Sequence, residues 1–91
     1  MDKRIYEIAA QHIIDYQVAM VGPIAKEMAQ RVSGLVFGGK CVKIEGDPIK
    51  VLERLAATYE TLFGGLSLIH CKNALVGLYL EPNELPKNLV D

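Results

Sequence analysis

Ninety-one residues, 51% hydrophobic and 23% charged, describe a single globular domain with a modest core, too apolar for a disordered chain. A net charge of −1 and a pI of about 6.1 speak against a dedicated nucleic-acid binder, and the longest apolar runs fall far short of a membrane span. So much apolar surface is hard for a small globule to shelter alone, so a homo-oligomer or a partner protein covering one face is expected.

Residues 2–20 place Ile5, Ile8, Ala9, Ile13, Tyr16 and Met20 at spacings of three and four, with Lys3, Glu7, Gln11 and Gln17 mostly off that stripe. This is the period of an amphipathic helix. After Val21-Gly22-Pro23 the spacing resumes at Ile24, Met28, Val32 and Leu35. Proline inside an unbroken helix costs about 3 kcal/mol, yet it is tolerated at a helix start. A break or sharp kink at 21–23 is therefore predicted, with Gly22 as the cap between two helices.

Residues 33–48 change character. Glycines at 34, 38, 39 and 46 exclude a stable helix, while Val36, Phe37, Cys41, Val42 and Ile44 suit extended chain. Gly38-Gly39 resembles a two-residue hairpin turn, with an irregular loop as the alternative. Asp47-Pro48 then reads as a capping carboxylate followed by proline at the first helical position. Behind it Ile49, Leu52, Leu55, Ala56, Tyr59, Leu62 and Phe63 make the cleanest apolar stripe in the chain, ended by Gly64-Gly65. Ser67 is a candidate cap for a last helix whose apolar residues, Leu68 to Tyr79, cover more than one face. A strand through residues 75–80 competes for its final third. Residues 81–91 form an ordered or fraying tail, and no internal repeat is visible.

Between Lys26 and Arg54, six basic residues (Lys26, Arg31, Lys40, Lys43, Lys50, Arg54) stand against Glu27, Glu45, Asp47 and Glu53. A solvated face is the plain explanation; an anionic partner is the sharper one.

Candidate chemistry is thin. His12 and Asp15 share a helix face but supply two ligands, whereas a structural metal site usually needs four. His70 and Cys71 are adjacent, so on a helix they point about 100° apart. Cys41, beside Lys40 and near Lys43, could favour a thiolate, and a minor thiol enzyme acting through Cys41 or Cys71 is the least supported option. Two cysteines thirty apart, with no CxxC, fit free thiols in a reducing cytosol. The "FGGK" and "FGGL" segments lack the spacing of a phosphate-binding loop.

The stretch "YQVAMVGPIAKEMAQRV" (16–32) resembles the start of a small helical domain at the ends of bacterial, notably cyanobacterial, response regulators and serine/threonine kinases. Gly22, Pro23, Ile24 and Ala25 match its "GPIA" motif, Arg31 falls where a basic residue is usual, and residues 46–59 look like its second helical block. The glycine-rich segment 34–46 and the apolar residues 64–80 depart from it. The resemblance implies a signalling-associated interaction module and places a catalytic role on no residue.

These readings together predict one mainly α domain over residues 1–91, with three or four helices, a break at Gly22-Pro23 and one short β-hairpin around 35–45. Its expected role is protein–protein interaction or dimerisation, with no catalysis and no cofactor. Ile13, Tyr16, Met20, Ile24, Met28, Leu68, Cys71, Leu75 and Tyr79 are the candidate interface. The alternative is a metal- or ligand-binding sensor that gathers His12, Cys41, His70 and Cys71.

Overall fold

The computed structural model describes residues 3–39, 41–78 and 80–90. Helix α1 spans Lys3–Val21 and ends where Gly22 takes a φ of 91°, a left-handed conformation that an L side chain resists. Pro23 caps the short helix α2, Ile24–Ala29, so the proline stands just outside the ladder it would otherwise interrupt. The break predicted from "VGPIA" is thus a tight corner.

Helix α2 is shorter than its apolar spacing suggests. Beyond Ala29 the chain continues through single turns, Val32 N–H donating to Ala29 and Leu35 N–H to Val32, which keep a spacing of three without a helix. Strands β1, Leu35–Val36, and β2, Lys43–Ile44, then pair antiparallel with Leu35 opposite Ile44 and Val36 opposite Lys43. The hairpin is where the sequence places it, but six residues separate its two strands, more than a two-residue turn at Gly38-Gly39 allows.

Two short strands are marginal in water, and this pair is held by α1. Val42 and Ile44, whose N–H groups point away from β1, donate to Gln11 Oε1 and Glu7 Oε2, each at 2.9 Å. Glu7 also lies 3.9 Å from the Lys43 ammonium, and Gln11 Nε2 donates to Asp15 at 2.9 Å. Two polar side chains one helical turn apart therefore satisfy alternate donors on a strand edge that would otherwise invite another strand.

Helix α3 spans Pro48–Phe63, begun by Asp47, whose carboxylate accepts from the Ile49 N–H at 3.0 Å, and ended at Gly64. Helix α4 spans Leu66–Ala74. Ser67 is not its cap: it sits buried in the first turn and its hydroxyl donates to the Gly64 carbonyl at 2.7 Å. Turns, not a strand, follow through residues 75–78. The tail folds back as two 3-10 turns, Pro82–Glu84 and Lys87–Leu89, with Pro86 and Leu89 buried and Asn88 donating to the Glu53 carbonyl at 3.1 Å.

The two helical hairpins repeat one another with an offset of forty-two residues. Buried positions Ala9, Ala10, Ile13, Ile14 and Gln17 in α1 correspond to Val51, Leu52, Leu55, Ala56 and Tyr59 in α3. Ala25 and Ala29 in α2 correspond to Ser67 and Cys71 in α4. Gly22 and Gly64 occupy matching corners with φ of 91° and 85°. The corner hydrogen bonds match too: Ala25 N–H to Gly22 O and Ser67 N–H to Gly64 O are both 3.1 Å. The halves are joined by reciprocal buried bonds. Gln17 Nε2 donates to Ser67 O at 3.0 Å, and Tyr59 OH donates to Ala25 O at 2.8 Å. None of the seven buried pairs is an identity, so the repeat lies in burial and backbone rather than in residue type.

Candidate interaction surface

The chain shelters more of its apolar stripe than its composition suggests. Its 5434 Å² of accessible surface is close to the about 5200 Å² that scaling gives a 10 kDa monomer. Three candidate interface residues, Ile13, Cys71 and Leu75, lie in this core and are unavailable to a second chain. Amphipathic spacing marks a face to be buried without saying against what, and here the other half of the same chain covers it. Tyr16, Met28 and Leu68 are partly buried, Met20 and Ile24 are exposed, and Tyr79 lies outside the described residues.

Among the described residues, six of the nine exposed large apolar side chains lie at the two helix corners, while Ile8, Val36 and Val76 lie elsewhere. Gln17 bonds to the first turn of α4 and Tyr59 to the first turn of α2, so the Gly22-Pro23 and Gly64-Gly65 corners lie at the same end of the bundle. Met20, Val21 and Ile24 flank the first corner, and Leu62, Leu66 and Ile69 the second. Their exposures run from 37% at Val21 to 61% at Leu66. No charged residue occurs between Asp15 and Lys26, nor among residues 61–69. Leu62 and Ile69 lie on the apolar stripes of their segments, whereas Val21 and Leu66 lie on no stripe, and their exposure follows from the corners. The available signal is an uncharged apolar segment straddling a helix-ending glycine, present twice.

The four thiol and imidazole residues are not brought together. Among the described residues, no three His, Cys, Asp or Glu side chains gather closely enough to hold a metal ion. His12 is exposed on α1 and Cys41 is exposed in the hairpin loop, whereas Cys71 is buried in the core. Burial pushes the Cys71 thiol up to about 11, opposed by the Gln17 amide that donates to it, so it is a protonated core group at neutral pH. His70 instead stacks obliquely on Tyr16, ring centres 5.6 Å apart. Cys41 borders a polar cavity of about 530 Å³ between α1, α2 and the hairpin loop, with Asp15, Lys26 and Gln30 on its walls. This cavity holds no acid–base pair in hydrogen-bond contact with the thiol among the described residues.

No helix among the described residues is long and apolar enough to cross a membrane. Comparison with protein-family models, curated proteins and solved structures finds no match for this chain.

Proposed function

We propose that the protein is an interaction module that associates with a second copy of itself through the corner end of the bundle. The observation carrying this reading is the set of six large apolar side chains, Met20, Val21, Ile24, Leu62, Leu66 and Ile69, on two uncharged corners at one end. A contiguous exposed apolar face of this kind favours association. With no charged residue in either corner segment, the face offers no charge pattern to select a dissimilar partner and no repulsion against its own copy. Because the two corners repeat, the face is roughly two-fold within one chain, which suits the self-matching geometry of a symmetric dimer. The similarity of residues 16–32 to the "GPIA" signalling domain extends the reading: a cytosolic dimerisation module in bacterial signal transduction, acting by assembly rather than by chemistry.

Sedimentation equilibrium at micromolar concentration tests it. The wild type is expected as a dimer, and the Met20→Glu/Leu66→Glu variant as a folded monomer. Both side chains are exposed, and a glutamate at the first position of α4 suits the positive end of that helix, so the fold is retained. A wild type that sediments as a monomer overturns the proposal.

A further inference from the structure

The forty-two-residue repeat also pairs two grooves on the flanks of the bundle. One runs between α1 and α4 and is bordered by His12, Asp15, Tyr16 and Asn73. Its counterpart runs between α2 and α3, bordered by Met28, Arg31, Arg54, Ala57 and Thr58. Four positions correspond: Arg54 stands where the first has His12, Ala57 for Asp15, Thr58 for Tyr16 and Arg31 for Asn73, while Met28, Thr61 and Leu62 line only the second and Ala74 only the first. In the first groove an aromatic side chain, Tyr16, forms part of the wall, its ring meeting His70 of α4 with centres 5.6 Å apart. In the second the equivalent residues are Thr58 and Met28, and the aromatic ring is missing. The openings follow suit, about 330 Å³ against about 500 Å³.

Charge separates the two as well. The α2–α3 groove carries two guanidiniums where the α1–α4 groove carries an imidazole and an amide. Arg54 donates one hydrogen bond to the Ser33 carbonyl at 3.2 Å, and no carboxylate among the described residues lies within ion-pair distance of Arg54 or Arg31. A slot that lacks an aromatic side chain and is rimmed by unpaired cations is complementary to a ring between carboxylates.

We infer that the α2–α3 groove is a peptide-docking site for a segment of another protein that presents an aromatic side chain flanked by Asp or Glu. The ring takes the place that Tyr16 holds in the equivalent groove, lying on Met28, Ala57 and Thr58. The carboxylates meet Arg31 and Arg54. This goes beyond self-association through the corners; Leu62, which lines the groove and also flanks the second corner, is the residue the two surfaces share.

A displayed library of random peptides about twelve residues long, a length that spans such a groove, is the probe. Selection on the wild type is expected to enrich peptides with an aromatic residue among Asp and Glu. Those peptides, made synthetically, should bind Thr58→Tyr and Arg31→Glu at least roughly tenfold more weakly by fluorescence anisotropy, with unchanged helical circular dichroism. Thr58→Tyr installs the ring that the counterpart groove carries. Arg31 is exposed with no partner among the described residues, so its variant keeps the test decisive should Thr58→Tyr fail to fold. No enrichment, enrichment of basic or wholly aliphatic peptides, or equal binding to Arg31→Glu overturns the inference. The Met20→Glu/Leu66→Glu monomer should bind the peptides as the wild type does, so failure of the dimer and failure of the groove are told apart.

Discussion

Gln17 is polar, lies among α1's apolar positions and is wholly buried, and its amide shows what one residue can do in such a place. Its Nε2 donates across the halves to the Ser67 carbonyl and to Cys71 Sγ at 3.6 Å, while its Oε1 has no partner among the described residues. A buried amide left half satisfied weakens the fold in exchange for fixing which groups meet. Its neighbour Cys71 makes stability depend on alkaline pH. The folded thiol ionises near 11 against an ordinary value of 9.0, so between those values the unfolded chain has already lost a proton that the folded chain keeps. Stability is therefore intact below about pH 9 and falls as pH rises towards 11, by about 2–3 kcal/mol from this group at 1.36 kcal/mol per unit. The Tyr59 phenol, raised by burial, adds to the loss once the pH passes its ordinary value of 10.0. Urea melts from pH 8 to 11 should show this decline in the wild type and a shallower one in Cys71→Ala; parallel declines would mean that the thiol is not the group responsible.

At the level of elements, the helices were legible where a residue acts through its own backbone. Asp47-Pro48 starts α3 and Gly64 ends it because capping and positive φ are local properties. The hairpin was legible in place but not in width, since its register is set from outside by Glu7 and Gln11, residues thirty-odd positions away. Those two looked like solvated polar residues of α1. The end of α2 was hidden because Val32 and Leu35 keep the spacing of a helix through consecutive turns. Gly34 bars any helix from running on into β1. Its φ is 97°, and a Cβ there would stand 2.5 Å from Val51 Cγ2 and 3.0 Å from the Glu45 carbonyl oxygen. Gly34→Ala should destabilise by about 2–4 kcal/mol, combining left-handed strain with overpacking of a buried valine. In thermal or urea melts, Gly34→Ala/Val51→Ala should lose less than the sum of its two single variants, because the second truncation removes the clash. Strict additivity would place the cost elsewhere.

For the whole molecule, the candidate surface was the least legible part. Periodicity identified Met20 and Ile24 correctly as apolar and spoke equally for Ile13, Cys71 and Leu75, which the core consumes. Deciding between those fates requires knowing that α1 lies against α4 and α2 against α3, and the repeat behind this pairing keeps the corner glycines, Gly22 and Gly64, but no buried residue in common. The same crossing of bonds bears on how the molecule comes apart. Each half offers a carbonyl, at Ala25 or Ser67, to a buried side-chain donor of the other half, and the single core is drawn from both, so neither hairpin is a finished body by itself. Severed between Gly38 and Gly39, the chain should give two pieces that are each largely unfolded in isolation and that regain helical circular dichroism when mixed. Should one piece alone melt cooperatively with full helicity, the halves would be self-sufficient; reconstitution would make this small protein a heterodimer of its own fragments.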